Sequence, residues 1–254
     1  MRQYGPERAT CPFRGVAEAE PSGYLRSAAN CRRMRMLALA AVVFLAAAPA
    51  AFGTSPSSIA PISRAEGRAI LEAKEWHHGC PVVFSQLRVL TTPYYGFDGR
   101  THWGKLVVNA RVAAPLQTVF AKLYAMRFPI HHMQFGDTYG SRKNVPRDGD
   151  FTASFECREA SASPCTGATA NKTTGSWSMH AYGEAIDLNP VENPYVGCGM
   201  TRDKTALSYL ERSNVRRGMV TPAVIAAFAS IGWGWGGSWL GSTKDYMHFS
   251  STGH

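Results

Sequence analysis

The segment GSWSMHAYGEAIDLNP, residues 175–190, places His180 and Asp187 seven residues apart among small and apolar residues. This spacing is too long for one helix face, where side chains three or four positions apart are neighbours. It suits an extended segment, a turn at Gly183 and a second extended segment that returns beside the first, because glycine adopts backbone angles that side chains forbid. We therefore expect a small sheet that carries both side chains.

A histidine and a carboxylate on such a sheet are two of the three protein ligands typical of hydrolytic zinc sites, which leave the fourth position to water. The third ligand must be a histidine elsewhere. His248 is favoured because Asp245 lies three residues before it in KDYMHF, close enough to face the same metal-bound water and take its proton. His131 and His132 stand between apolar residues and are interpreted as core or surface imidazoles.

A resemblance to a known family supports this set of residues. The pattern Ser178-x-His180-x-x-Gly183-x-Ala185-x-Asp187 resembles the signature of the zinc-dependent D-alanyl-D-alanine carboxypeptidases and of the related L-alanyl-D-glutamate endopeptidases of phage and bacterial endolysins. The stretches FECR, NPY and WGWGGSW...KDYMHF are similar to further motifs of that family. The resemblance extends over roughly residues 80–249.

The resemblance implies specific roles for five residues. His180, Asp187 and His248 would bind Zn²⁺. Asp245 would be the catalytic acid/base, and Arg158 would contact the substrate or a developing oxyanion. An ordinary surface ion pair with a neighbouring glutamate is the alternative for Arg158.

Other residues are expected to support the site. Ser178 and Tyr182 flank the ligands and are predicted to orient them. One tryptophan of the C-terminal region is expected to touch the substrate, with Trp235 as the candidate. Members of the resembled family often have a glutamate directly after the His-Phe pair, where this chain has Ser250, so substrate preference or optimum pH would differ.

Outside the motif, helical and strand patterns alternate without a repeat. Ser63 and Glu66 form a capping-box pattern, PLQTVFAKLYAM has helical periodicity, and Thr221 precedes a third helix. PVVFSQLRVLTTPYYGFDG and KLVVNARV predict strands, and residues 136–174 predict a long ordered loop that serves the site. We predict one α+β domain, residues 64–254, in which helices flank a small antiparallel sheet that carries the zinc site. The resemblance implies the fold shared by hedgehog signalling domains and D-Ala-D-Ala peptidases.

The N-terminal region has the pattern of an export signal. Arginines precede an apolar run from Met36 to Ala48, and the small residues Ala48-Pro49-Ala50 follow. We interpret residues 34–50 as a signal peptide, residues 1–33 as a non-native upstream extension and residues 51–63 as a linker. The apolar run is short for a membrane span, although an uncleaved anchor is the alternative.

The cysteines fit an exported protein. Cys80, Cys157, Cys165 and Cys198 follow the predicted signal, and an even number in an oxidising compartment predicts two disulfides with three possible pairings. We favour Cys157 with Cys165, because the intervening REASASP can turn, and by elimination Cys80 with Cys198. A thiolate zinc site is disfavoured because the chain has no Cys-x-x-Cys pair.

Charge and motif together indicate a function class. Residues 51–254 carry 20 Lys and Arg against 15 Asp and Glu, a modest excess that suits an anionic bacterial wall but not nucleic-acid binding. We expect a secreted or wall-associated monomer that cleaves peptidoglycan stem peptides and meets the membrane only through its signal. The alternatives are a non-catalytic wall-binding or signalling module of the same fold and a metal-free, disulfide-stabilised binding domain.

The export signal makes a direct prediction. N-terminal sequencing of the secreted protein should begin near Ala51, because cleavage follows the small-residue site. A secreted chain that keeps Met1 would contradict both the signal peptide and the non-native upstream extension.

Overall fold

The computed structural model of the protein describes residues 57–133, 148–167 and 172–254. The helices in these ranges are α1 (Arg64–Glu72), α2 (Ala110–Ala125) and α3 (Pro222–Ala229). The strands are β1 (Ser58–Pro61), β2 (Leu87–Gly96), β3 (Thr101–Asn109), β4 (Pro129–Ile130), β5 (His132–Met133), β6 (Phe151–Thr152), β7 (Glu159–Ser161), β8 (Thr173–Trp177), β9 (Ala185–Asp187), β10 (Tyr195–Gly197), β11 (Gly234–Trp235), β12 (Thr243–Asp245) and β13 (His248–Ser250). None of the helices in the described ranges is long and apolar enough to cross a bilayer.

The largest sheet is built on the β2–β3 hairpin. β2 pairs antiparallel with β1 and β3, and its end pairs in parallel with β4. Helix α2 packs on this sheet because its apolar residues recur at helical spacing and are buried on one face. These residues are Val112, Leu116, Val119, Phe120 and Leu123.

A second, three-stranded sheet, in the order β11–β13–β9, lies against the same core. Its register places Asp187 opposite His248 and Ile186 opposite Phe249. Ile186 and Phe249 are fully buried, and the Phe249 ring stacks on Phe228 of α3 with centroids 3.9 Å apart. Because side chains alternate across a strand, the apolar residues face the core while Asp187 and His248 face the other way.

Mixed helices and small antiparallel sheets agree with the predicted α+β class. The capping box at Ser63 and Glu66 is present, and Thr221 caps α3 with Pro222 in the first turn. Helix α2 begins at Ala110, earlier than predicted, because the Asn109 side chain accepts a hydrogen bond from Arg111 N–H and so ends the strand.

Two predictions about loops change. The predicted linker contains β1, an exposed edge strand that tolerates Pro61 because an edge leaves one row of backbone groups unpaired. The predicted loop at 136–174 contains β6, β7 and a 3₁₀ turn, Pro164–Thr166, and it lies partly outside the described residues. The proposed signal peptide and upstream extension also lie outside them.

The predicted disulfide pairing is wrong. Cys80 pairs with Cys157 and Cys165 pairs with Cys198, with Cα atoms 5.8 and 5.2 Å apart. Cys157 cannot turn back to Cys165, because its backbone N–H bonds to the Glu75 carbonyl and holds it beside the segment before Cys80. Cys165 instead lies in the 3₁₀ turn Pro164–Thr166, which packs against β10 near Cys198.

The observed pairing predicts a stability order. In the chain-entropy model each bond stabilises the fold by about 4 kcal/mol, slightly more for the 77-residue separation than for the 33-residue separation. The C80S/C157S double variant should therefore lower the free energy of unfolding at least as much as C165S/C198S, measured by urea denaturation. Non-reducing peptide mapping checks the pairing, and a Cys157–Cys165 link would overturn it.

Candidate metal centre

His180 lies on a single 3₁₀ turn, Met179–Tyr182, rather than on the extended segment expected from sequence. Ser178 starts this turn by accepting a hydrogen bond from His180 N–H at 3.3 Å. Gly183 ends it with φ of 68°, in the left-handed region that favours glycine. A Cβ at Gly183 would lie 2.7 Å from the backbone nitrogen of Asn109, so a larger residue would displace the turn.

Asn109 fastens this turn to the start of α2. Its N–H donates to the Gly183 carbonyl at 2.8 Å, and its side-chain amide donates to the Tyr182 carbonyl at 3.0 Å. Since the same side chain caps α2, the position of the turn depends on the position of the helix.

The His180 ring is oriented by a backbone carbonyl. Its Nδ1 bonds to the carbonyl oxygen of Ser154, and the Ser154 hydroxyl donates to the Ala185 carbonyl at 2.7 Å. A carbonyl only accepts, so Nδ1 carries the proton and Nε2 presents its lone pair. This arrangement is typical of metal-binding histidines, whose second nitrogen is held by a carbonyl or carboxylate.

Three ligand atoms converge from separate parts of the chain. His180 Nε2 and Asp187 Oδ2 are 3.1 Å apart, His248 Nδ1 and Asp187 Oδ1 are 3.1 Å apart, and the two imidazole nitrogens are 3.3 Å apart. All three side chains are largely buried. Two imidazoles and one carboxylate are a ligand set that hydrolytic zinc sites use, so these residues fit the predicted ion.

The charges of this cluster are strongly coupled. Burial raises the pKa of Asp187, but the adjacent His180 and His248 outweigh burial and hold that pKa far below its usual range. Burial lowers the pKa of His248, and the carboxylates of Asp187 and Asp245 more than offset this and raise it. Asp187 therefore remains a carboxylate, the form that binds a metal.

Asp245 borders the cluster from β12. Burial and the charge of Asp187 raise its pKa to about 7, against the opposing effects of His248 and Arg158. Its Oδ1 is buried and has no hydrogen-bond partner among the described residues. A carboxyl group with this pKa can exchange a proton at neutral pH.

Glu184, the other acidic residue near the ligands in sequence, is engaged elsewhere. It forms an ion pair with Arg111 and accepts a hydrogen bond from the Ser251 hydroxyl at 2.8 Å. Asp245 is thus the better placed of the two carboxylates for proton transfer.

A cleft of about 450 Å³ opens onto the cluster and onto Asp245. Arg158 lines this cleft, where a contact to substrate was predicted. Its Nε also donates to Glu156 at 2.7 Å, so Arg158 forms the ion pair with a neighbouring glutamate that was the alternative. The ring of Trp239 lies 5.8 Å from that of His248. Other side chains of the walls are Ser161, Trp177, Ser178, Met179, Tyr195, Met247 and Thr252.

Two predicted residues lie outside this cleft. Tyr182 packs against the apolar cluster around Cys157, because the 3₁₀ turn directs it away from the ligands. Trp235 donates from Nε1 to the Tyr246 carbonyl at 2.9 Å and packs beside Phe249, so Trp239 takes the place predicted for it.

Two residues that contribute to the metal centre and its cleft were not predicted from the sequence. The Ser154 carbonyl has no side-chain signature and only the fold brings it to His180. Trp177 is partly exposed and lines the cleft. Its position directly before the Ser178 motif could have indicated that it lies near the site.

Comparison with known families places this geometry in context. Residues 171–251 match the family model described as D-alanyl-D-alanine carboxypeptidase. The match includes His180, Asp187, His248 and Asp245 and confirms the resemblance over this part of the chain, while Arg158 lies outside the matched residues. No curated protein and no solved structure matches the chain.

The raised pKa of Asp245 predicts a pH-dependent stability of the metal-free protein. Below about pH 4 the carboxyl is protonated in both folded and unfolded chains. Between about pH 4 and the folded pKa of about 7, the unfolded chain releases a proton that the folded chain retains, which favours unfolding. The gain in stability from Asp245→Asn should therefore grow from pH 4 to pH 7 and then level off.

Urea unfolding of chelator-treated wild type and variant across this pH range measures that difference. A difference that does not change with pH would contradict the buried position of Asp245 beside Asp187.

Proposed function

We propose that the protein is an exported zinc metallopeptidase that hydrolyses peptide bonds in peptidoglycan stem peptides, as a D,D-carboxypeptidase or an L-alanyl-D-glutamate endopeptidase. The observation that carries this proposal is the convergence of His180, Asp187 and His248 beside a proton-exchanging Asp245 in one cleft. The family match supports a peptidase that acts on peptidoglycan. The basic excess of the chain beyond residue 50 supports an anionic wall as its surroundings.

The chain supplies a zinc ligand set and a proton carrier. When bound, zinc polarises a scissile carbonyl and lowers the pKa of a water molecule. Asp245 would take a proton from the attacking water as a general base and deliver it to the leaving amine as a general acid. In the metal-free chain, burial and the charge of Asp187 raise its pKa to about 7, so the carboxyl can both take up and release a proton near neutral pH.

Arg158 would bind a negative group of the substrate. Its guanidinium is held by Glu156 at Nε and by the Glu159 carbonyl at 3.3 Å, so little side-chain entropy remains to be lost on binding. Cys157, directly before it, is tied to Cys80, which orders the backbone. A terminal carboxylate or a developing oxyanion satisfies a guanidinium at this position.

The aromatic walls suit a peptide of small side chains. Trp177, Tyr195 and Trp239 offer apolar surface around a polar floor, the usual composition of a ligand cleft. They would exclude water from the reacting bond and bury the methyl groups of alanine residues.

Asp245 also separates this proposal from a non-catalytic module. A buried carboxyl oxygen without a hydrogen-bond partner costs stability, which a purely binding domain has no reason to bear. Its presence in the cleft favours an enzyme.

Digestion of purified peptidoglycan by the zinc-loaded protein, followed by mass spectrometry of the released ends, tests the proposal. Release of terminal D-alanine would identify a carboxypeptidase, and new N-termini on D-glutamate would identify an endopeptidase. We expect Asp245→Asn to keep zinc near one ion per catalytic centre while turnover falls by about 10²- to 10⁴-fold, since the amide keeps the shape but cannot accept a proton.

His248→Ala is the matched control, because it removes a ligand and should lower zinc binding at this centre and activity together. Absence of any peptide cleavage by zinc-loaded wild type, or full activity of Asp245→Asn, would refute the proposed mechanism.

A further inference from the structure

A second group of metal-ligand side chains lies outside the cleft, where β5 meets β6. It consists of His131, His132, Asp148 and Asp150. His132 Nε2 lies 3.2 Å from His131 Nδ1 and 2.9 Å from Asp148 Oδ2. His131 Nδ1 is 3.7 Å from Asp148 Oδ2 and 3.8 Å from Asp150 Oδ2. Three donor atoms, His131 Nδ1, His132 Nε2 and Asp148 Oδ2, therefore lie close enough to share one ion, and Asp150 borders them.

The two adjacent histidines meet because the chain bends between them. Neighbouring residues of one strand point to opposite faces. Here β4 ends before His131 and pairs with β2, whereas β5 begins at His132 and pairs with β6. The Asn189 side chain accepts the His131 N–H at 3.1 Å and holds the bend. The two rings lie 4.8 Å apart as a result.

Both carboxylates are oriented by backbone hydrogen bonds. Asp148 Oδ1 accepts from Asp150 N–H at 3.2 Å, and Asp150 Oδ1 accepts from Val191 N–H at 3.1 Å. In each residue this leaves Oδ2 as the oxygen nearest an imidazole. An oriented ligand loses little freedom when it binds an ion.

A third carboxyl group, that of Glu192, lies behind the cluster. Glu192 is 5 % exposed and lies within hydrogen-bonding reach of the Asp150 carboxyl. Its Oε1 accepts from the Tyr209 hydroxyl at 3.3 Å, but its buried Oε2 has no partner among the described residues. Within the described ranges, no Lys or Arg forms an ion pair with any of these three carboxyl groups. Among the described residues, the two imidazoles are thus the basic groups that lie beside Asp148 and Asp150.

We propose that His131, His132 and Asp148, with Asp150 beside them, bind a divalent transition-metal ion of the zinc class. Two imidazoles and a carboxylate suit such an ion, whereas calcium and magnesium prefer oxygen alone. None of these residues lines the cleft, and they lie where β5 pairs with β6, so we assign the site a structural role. This proposal is an alternative to the interpretation of the two histidines as core or surface imidazoles.

The site would stabilise the strand that supports the first centre. β6 pairs with β5 beside the second cluster, and the next residue, Ala153, bridges to Asp187. Asn189, which holds the bend at His131, lies two residues after Asp187. An ion at the second site would thus fix β6 against β9.

Zinc titration of the chelator-treated full chain tests this site, with the bound zinc counted after removal of free metal. Wild type should bind two ions, and His132→Gln/Asp148→Asn should bind one. Loss of a residue that only hydrogen-bonds to a metal ligand costs about 10- to 100-fold in metal affinity. Loss of two ligands should therefore weaken the site by more than about 100-fold. Asp98→Asn is the matched control, because it removes an exposed His–Asp pair, 2.9 Å to His102, and should leave two ions.

The variant His248→Ala tells the two centres apart, both alone and added to His132→Gln/Asp148→Asn. Alone, it should keep one ion and a zinc-dependent rise in Tm. The triple variant should lose both. If His248→Ala keeps its ion but wild type cleaves no peptidoglycan, the second site stands and the proposed function fails. One ion in wild type that His248→Ala abolishes would overturn the second site.

The single variant Asp148→Asn controls for misfolding of the double variant, because the Asp148 carboxylate is exposed and its replacement does not alter the core. Circular dichroism confirms the fold of each variant. Unchanged affinity for both ions in this variant would also overturn the proposal.

Discussion

The antiparallel register of β9 and β13 is the constraint on which the metal centre depends. It sets Asp187 directly opposite His248, and a slip of one residue would turn one of them toward the core. Ile186 and Phe249, the opposite pair on the other face, prevent that slip because both are fully buried. Burial of such side chains contributes about 1.5–3 kcal/mol each. Apolar packing therefore holds the donor atoms of Asp187 and His248 beside each other.

The remaining ligand reaches this sheet by a different route. His180 stands on a turn that Asn109 ties to the first turn of α2, and its ring is held by the Ser154 carbonyl next to β9. Helix α2 shares its apolar core with Ile186 and Phe249. One core thus positions ligands that are up to 68 residues apart in sequence.

Local features of the chain were predictable, and long-range ones were not. The caps at Ser63 and Thr221 and the spacing of His180 and Asp187 depend on neighbouring residues, so their pattern is visible in sequence. The disulfide partners depend on how β7, β8 and β10 are arranged, and the convergence of His131 with His132 depends on a change of sheet between β4 and β5. Neither leaves a local signature. The place of Trp239 rather than Trp235 likewise follows from a hydrogen bond to the backbone of Tyr246.

None of the disulfide cysteines lines the cleft, but each disulfide is attached to a segment that does. Cys80–Cys157 braces the segment that carries Arg158, and Cys165–Cys198 joins the loop after β7 to β10, the partner strand of Asp245. Asp187 and His248 are held by strand register and by an apolar core that contains no cysteine among its buried residues. Reduction of the two disulfides is therefore expected to loosen the segments of Arg158 and Tyr195 more than the pairing that sets Asp187 opposite His248.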